Sequence, residues 1–236
     1  MSDYAALLGV KGGPAIRPGS NMPTATLVRM AGRHVLVDAG LGAAKGVCDQ
    51  GVELRDLDAI VITHLHSDHY LELGPLLHTA WTAGLNAPMP VYGPTGLAEY
   101  WAGFLTSMAF DISLRIEDEG RVDLASLAEL HQLSDGAEID LGGLALRTLL
   151  NDHPPITESY ALRFDGARRA LCLSGDTAYM PAMAVFAAGA DLLIHEAMLT
   201  DGVEAIMERM KNGDDRLRTH ILRSHTTAED VGRMAR

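Results

Sequence analysis

Four side chains that commonly bind metal ions lie within six consecutive positions, directly after the short apolar run Ala59–Thr63. They are His64, His66, Asp68 and His69. Imidazole nitrogen and carboxylate oxygen together suit zinc, and also iron or manganese. The spacing lets His64 and His66 converge on one ion while Asp68 and His69 face a second. A solvated His-rich loop is the alternative, but ionisable groups behind a core strand must be paired or metal-bound, which favours a metal site.

The elements that must position these ligands are strands. The β-branched run before His64 predicts a buried strand with the ligands at its open end. A predicted strand is followed by a potential ligand at two further places. The strand 144–150 precedes His153, and the strand 170–173 is followed by Ser174-Gly175-Asp176-Thr177. We interpret His153 as the third ligand of the first metal, with a turn histidine as the alternative. The Asp176 carboxylate can bridge both ions.

Two further segments are predicted close to this site. Residues 26–30 and 34–38 flank a short turn and predict a hairpin that ends at Asp38. Asp38 could orient a ligand histidine or could equally cap the next helix. The Gly- and Pro-rich residues 12–21 predict a loop. This loop is either a plain connection or a cover over the site, where Arg17 could meet an anionic substrate.

Other elements are predicted from caps and apolar spacing. Thr95 is expected to cap one helix, residues 203–211 to form another, and Thr226 or Thr227 to cap the last. Residues 111–141 are acidic and show no clear pattern, and Glu117-Asp118-Glu119 is expected to be a solvated charge run.

Composition limits the class of protein. A chain of 236 residues with 47% hydrophobic residues can form one large α/β domain. The formal net charge of −12 repels polyanions such as nucleic acid. Cys48 and Cys172 are too few and too far apart for a disulfide framework, so reduced, buried thiols are expected. No apolar stretch approaches membrane-spanning length and no leader pattern opens the chain, which predicts a cytoplasmic protein.

The motif His64-x-His66-x-Asp68-His69 resembles the signature of the metallo-β-lactamase superfamily. The elements Ser174–Thr177, His195-Glu196-Ala197 and Ser224–Thr227 resemble its ribonuclease Z and arylsulfatase-like branch. The resemblance implies an α/β fold, the αββα sandwich of two mixed β-sheets with helices on the outer faces, as a single domain over residues 1–236. It also implies two divalent metal ions, most commonly zinc, with a water between them.

The resemblance assigns roles to particular residues. His64, His66, Asp68, His69, His153 and Asp176 would be the metal ligands. Asp68 would also hold the proton of the attacking water. Glu196 would orient His225, and His225 would donate a proton to the leaving oxygen.

The sequence departs from the family pattern in two places. Family members continue into a further strand ending in a histidine of the second metal site, and nothing after Met234 matches it. We therefore expect a C-terminal truncation and a second site short of one ligand. The basic, glycine-rich arm with which ribonuclease Z enzymes grip tRNA has no counterpart in residues 111–141, so a tRNA substrate is not expected.

The resulting hypothesis is a metal-dependent hydrolase of a small phosphodiester or related ester. Alternatives are an arylsulfatase, or a lactonase or β-lactamase-like enzyme, which would not need Glu196 and His225. A flavodiiron-type redox protein would carry Glu at position 67, where this chain has Ser67. A non-catalytic metal-binding protein is the alternative outside the enzymes. The expected partners are a small anionic ester and a second copy in a homodimer, without a membrane.

Overall fold

The computed structural model of the protein describes residues 2–210 and 215–235. Within it the chain forms two compact units, Met1–Leu133 and Ser134–Arg236. Each unit contains one mixed β-sheet and several helices. Lys211, the predicted end of the helix that starts at Val203, lies outside the described residues.

The first unit contains a six-stranded sheet in the order β1-β2-β3-β4-β5-β6. Its strands are β1 (Tyr4–Gly9), β2 (Ala25–Met30), β3 (Arg33–Val37), β4 (Ala59–Val61), β5 (Met89–Gly93) and β6 (Ala128–Gln132). The first three strands pair antiparallel and β3 to β6 pair parallel. The predicted hairpin is confirmed as β2 and β3. Because parallel strands end at the same edge of a sheet, the residues that follow β3 and β4 meet there.

The helices of the first unit cover the apolar side chains of this sheet. They are α1 (Ala43–Asp49), α2 (Ser67–Tyr70), α3 (Leu73–Thr82), α4 (Leu97–Ser107) and α5 (Ala109–Glu119). Ile60 of β4 packs in one buried cluster with Leu76, Leu77 and Trp81 of α3. Burial of such side chains is the main favourable term in folding, so β4 is anchored in the core of this unit.

The second unit contains a five-stranded sheet in the order β11-β10-β9-β8-β7. Its strands are β7 (Glu138–Asp140), β8 (Ala145–Leu150), β9 (Tyr160–Asp165), β10 (Ala170–Leu173) and β11 (Leu192–Ile194). Only β10 and β11 pair parallel. The predicted hairpin across Asp165-Gly166 is confirmed, with Ala170 opposite Asp165.

The helices of the second unit are α6 (Ala182–Phe186), α7 (Thr200–Met210), α8 (Arg216–Ser224) and α9 (Ala228–Met234). The hydroxyl of Thr227 accepts the Asp230 backbone N–H at 3.2 Å and caps α9. The cap prediction is therefore confirmed at Thr227. Thr226 instead donates its hydroxyl hydrogen to the Thr177 carbonyl at 2.7 Å.

The structure assigns one segment that the sequence pattern left open and corrects one predicted cap. Residues 111–141 form most of α5 and the strands β6 and β7. In α5 the apolar face consists of only a few residues, such as Ile112 and Ile116, between charged ones, which hid the helical period. Thr95 does not cap α4: the helix begins after Gly96, and the Thr95 hydroxyl accepts from the Gln132 amide at 2.6 Å.

The two cysteines are free, but only Cys172 is buried; Cys48 is exposed, contrary to expectation. Burial raises the pKa of the Cys172 thiol to about 12. Only a thiolate attacks a disulfide reagent, and at pH 8 about one Cys172 thiol in ten thousand is ionised. We expect Ellman's reagent to react rapidly with one thiol of the folded protein and with two after denaturation. Two rapid equivalents in the folded protein would contradict this burial.

No helix among the described residues is long and apolar enough to cross a membrane.

Candidate metal centre

The first group of predicted ligands lies where β4 ends. The chain continues from β4 through the buried residues Ile62 and Thr63, and α2 begins at Ser67. His64, Asp68 and His69 are buried, and His66 is half-buried. A strand and the first turn of a helix therefore hold three ionisable side chains almost out of water, where each needs a charged or hydrogen-bonding partner.

His64 and His66 present ring nitrogens to each other. Nε2 of His64 lies 3.1 Å from Nδ1 of His66, and the two rings meet edge to face. Two nitrogen ligands of one tetrahedral zinc ion, each about 2.0–2.1 Å from the metal, are roughly 3.3 Å apart. The separation of the two nitrogens thus fits a shared ion. The other nitrogen of His64 lies 3.1 Å from the Thr63 hydroxyl.

Asp38 orients His69. Its carboxylate accepts the backbone N–H of Thr63 at 2.8 Å, the Thr63 hydroxyl at 3.0 Å, and Nδ1–H of His69 at 2.7 Å. With the proton on Nδ1, Nε2 of His69 keeps the lone pair that binds a cation. Burial raises the pKa of Asp38, and the contacts with His69 and Thr63 oppose that rise.

The geometry decides between the two interpretations of Asp38. The helix α1 begins after Gly42, and the Glu72 carboxylate accepts the Ala44 N–H of its first turn at 2.9 Å, so Asp38 is not its cap. Asp38 also has a φ of +61°, a left-handed conformation that Asp tolerates better than most residues. This turn directs the chain away from β3 and places the carboxylate against Thr63 and His69.

Asp68 sits beside two glycines. Its Oδ2 accepts the backbone N–H of Gly13 at 2.7 Å and lies 3.7 Å from Nε2 of His69. At Gly40 the backbone passes so close to the ligand helix that an added Cβ would lie 2.3 Å from the Asp68 carbonyl oxygen. A side chain at position 40 would therefore push α2 away from the end of β3.

The second unit contains its own group of potential ligands. One donor atom each from His153, Asp176 and His225 lies within 4.8 Å of the other two. His153 follows β8 and is buried, and its Nδ1–H donates to the Ser224 carbonyl at 2.8 Å. That bond leaves Nε2 as the ligand nitrogen. Residues from three loops of this unit therefore converge as they would around a cation.

Glu196 and His225 form a pair, as the resemblance implied. Nδ1 of His225 lies 3.0 Å from both carboxylate oxygens of Glu196, and Glu196 also accepts the Thr177 N–H at 2.8 Å. Burial raises the pKa of Glu196, and the hydrogen bond from His225 opposes that rise. The pair gives His225 a fixed ring and a nearby negative charge. Asp176 Oδ2 lies 3.9 Å from the same Nδ1.

Sequence reasoning missed two contributors to these groups and one possible further role of His225. Gly13 was seen only as part of a loop, and its N–H on Asp68 spans 55 positions. The Ser224 carbonyl accepts from His153, 71 positions earlier in the chain. It is a backbone group, so no side-chain pattern in the sequence predicts this contact. His225 was read only as a proton donor, although its position with His153 and Asp176 also suits a ligand. His195, which precedes Glu196, donates Nδ1–H to the Glu196 carbonyl at 2.6 Å.

Known proteins resemble the chain over nearly its whole length. The family described as Anti-Pycsar protein Apyc1 matches residues 6–231. Ribonuclease Z of Mycobacterium marinum is 38% identical over 200 residues, covering 83% of this chain and 70% of the relative. Ribonuclease Z of Mycobacterium bovis is 35% identical over 210 residues, covering 87% and 74%.

Solved structures are similar in fold. Human tRNase Z, short form, superposes with a TM-score of 0.71 at 22% identity, covering 99% of this chain and 87% of that one. The metallo-β-lactamase fold protein YhfI from Bacillus subtilis gives 0.69 at 20% identity, covering 98% and 80%.

These likenesses define the class: the chain has the metallo-β-lactamase fold, and the predicted fold class is confirmed. The chain belongs to the Anti-Pycsar protein Apyc1 family, in the branch of the metallo-β-lactamase superfamily that includes ribonuclease Z. It is a hydrolase of that superfamily with a His and Asp cluster suited to divalent metal ions.

Proposed function

We propose that the chain hydrolyses a small phosphodiester or related ester with the help of two divalent metal ions. The observation that carries the proposal is the Glu196–His225 pair beside Asp176, at 3.0 and 3.9 Å from Nδ1 of His225. An alkoxide is a poor leaving group and needs a proton as the bond to it breaks. A lactonase or β-lactamase-like enzyme would have less use for such a donor.

The proposed ligand set follows the family resemblance. His64, His66 and His153 would hold one ion, Asp68 and His69 the other, and Asp176 would bridge them. In the first unit His64 and His66 present nitrogens 3.1 Å apart and Asp38 holds Nδ1 of His69, and in the second unit the Ser224 carbonyl holds Nδ1 of His153, which supports this set. When bound, the ions lower the pKa of water and neutralise negative charge on the ester. Zinc is the first choice, with manganese or iron as alternatives.

The protein's own residues then have distinct tasks. Asp68 has one oxygen engaged with the Gly13 N–H, so its other oxygen can accept the proton of the attacking water. His225 donates the proton at Nε2 to the leaving oxygen, since its Nδ1 is held by Glu196. The Glu196 carboxylate stabilises the imidazolium that exists before this transfer. These steps make His225 the acid and Asp68 the base.

A small substrate fits the charges better than a polyanion does. The net charge is −12, and α5 ends in the exposed acidic residues Glu117, Asp118 and Glu119. The relatives named ribonuclease Z make RNA the natural comparison substrate, so precursor tRNA belongs in the test. A phosphodiester of low charge would meet less repulsion from this surface.

The test combines metal analysis with four substrates: bis(p-nitrophenyl) phosphate, p-nitrophenyl sulfate, a simple lactone and precursor tRNA. We expect about two ions per chain, hydrolysis of the phosphodiester above all, loss of activity with a chelator and recovery on adding zinc. Preferential cleavage of the sulfate, lactone or tRNA would replace the proposed substrate. Bound metal without turnover on any of them would favour a non-catalytic metal-binding protein.

A further inference from the structure

Lys11 occupies an unusual position next to Asp68. Its ammonium nitrogen lies 2.9 Å from the carbonyl oxygen of Gly12 and 2.6 Å from that of Gly13. The Gly12 carbonyl and the Gly13 N–H belong to one peptide group, and that N–H donates to Oδ2 of Asp68 at 2.7 Å. A cation, a peptide group and a carboxylate therefore form a single chain of hydrogen bonds.

Such an arrangement strengthens the bond to Asp68. A cation on a carbonyl oxygen polarises the peptide group and makes its N–H a better donor, and hydrogen bonds to an ionised acceptor are stronger than neutral ones. The charge of Asp68 is felt at Lys11: burial lowers the pKa of Lys11, and the Asp68 carboxylate opposes this. The two residues are thus coupled although a peptide group separates them.

The other hydrogen bonds that the structure describes in this loop lie at its base and at residues 17–20. At the base of the loop, the N–H groups of Val10 and Lys11 both donate to the Met22 carbonyl oxygen at 3.0 Å. Beyond it, Pro14 to Gly19 are exposed. Gly13 has a φ of +78°, which glycine adopts readily but does not favour over other conformations. The Lys11 side chain, together with the Asp68 carboxylate, therefore holds the Gly12–Gly13 peptide in this conformation.

We propose that Lys11 is a positioning residue for Asp68, holding the Gly12–Gly13 peptide so that its N–H fixes Oδ2, the oxygen 3.7 Å from Nε2 of His69, toward the second cation and leaves the other oxygen for the attacking water. The proposal rests on the proposed function, in which Asp68 is a ligand and the proton acceptor. In this role Lys11 positions Asp68. The competing role for Lys11 is direct binding of the substrate anion.

The test compares Lys11→Met with Lys11→Arg, and uses Lys45→Met as a matched loss of positive charge. Lys45 is an exposed residue of α1 that pairs with Asp49. The first readout is the amide resonance of Gly13 in the ¹⁵N-labelled, metal-free protein. We expect it to move upfield in Lys11→Met, to stay close to its original position in Lys11→Arg, and to stay in place in Lys45→Met.

The second readout is metal affinity and kinetics. Loss of a group that orients a ligand typically weakens metal affinity by about 10–100-fold, so we expect Lys11→Met to weaken the second ion to this extent. At saturating metal, kcat should fall while KM is maintained, and Lys11→Arg should restore most of both properties. An unmoved Gly13 amide, or a rise in KM with unchanged kcat and metal affinity, would overturn the proposal.

Asp68→Asn separates this inference from the proposed function. If Asp68→Asn retains full activity, the proposed chemistry fails, while the Gly13 resonance still reports whether Lys11 orders the peptide. If Asp68→Asn is inactive and Lys11→Met has no effect on Gly13 or on the second ion, only the role of Lys11 fails.

Discussion

Replacing His225 with Ala is expected to lower kcat by about 10²–10⁴-fold on phosphodiesters with alkyl leaving groups, with the metal content retained. The reason is the loss of the proton donor whose Nδ1 is held 3.0 Å from Glu196. Glu196→Gln should act in the same direction and more weakly, because the ring stays in place while the stabilising charge is lost. Steady-state kinetics and metal analysis on the same preparations measure both effects.

The leaving group provides an internal control for this prediction. A p-nitrophenolate departs without needing a proton, so His225→Ala should hydrolyse bis(p-nitrophenyl) phosphate at close to the original rate. His131→Ala is the matched control, since His131 is a half-exposed residue of β6 that pairs with Glu129 at 3.4 Å. It should leave every rate unchanged.

The same variant tests the second role that the geometry allows. His225 lies with His153 and Asp176 in a group whose donor atoms are within 4.8 Å of one another. If His225 were a ligand, His225→Ala would lose bound metal, and the rates on both kinds of leaving group would fall together. That outcome would remove the proton-donor role.

Replacing Asp38 with Ala is expected to lower the free energy of unfolding by about 3 kcal/mol and the melting temperature by roughly 6–12 °C. The substitution leaves the Thr63 N–H, the Thr63 hydroxyl and Nδ1 of His69 without their acceptor in a buried place. It also puts Ala at a φ of +61°. Thermal and urea unfolding of the metal-free protein measure the loss.

Asp38→Asn separates the structural effect from the effect on the metal. Asn tolerates the left-handed conformation, so the loss of stability should be smaller. The Asn side-chain NH₂ must donate to one of the groups that the Asp38 carboxylate accepted from. If it donates to Nδ1 of His69, the ring proton moves to Nε2, which is the nitrogen needed for the cation. We expect affinity for the second ion to fall by about 10–100-fold, and ¹⁵N NMR of the histidine rings to show the changed tautomer.

A matched aspartate sets the scale for the stability effect. Asp58 also accepts a backbone N–H, from His34 at 2.8 Å, and a side-chain donor from Arg33 at 2.8 Å, but its side chain is 25% exposed. Water can replace its bonds, so Asp58→Ala should cost only about 1 kcal/mol. Equal losses at the two positions would show that burial around Asp38 is not the cause.

The unassigned segment and the missed cap share a physical origin. Residues 111–141 form most of α5 and the strands β6 and β7, and in the first unit a few of their side chains, among them Ile112 and Leu127, join the buried core cluster. A local pattern does not reveal a partner that is distant in sequence. Thr95 had the side chain of a cap, but the Gln132 amide, 37 positions away, engages its hydroxyl.

The sequence by itself determined which residue types form the site: apolar runs that precede His64, His66, Asp68 and His69, His153 and Asp176 predict strands with ligands at their ends. Those signals are local, because side-chain type and strand propensity act over a few residues. Only the tertiary structure decided what orients the ligands. Backbone groups of Gly13 and Ser224 and the carboxylate of Asp38 reach their partners across 55, 71 and 31 positions. Backbone N–H and carbonyl groups carry no signal that depends on the side chain. The packing of the whole chain therefore determines which partner each of these groups finds.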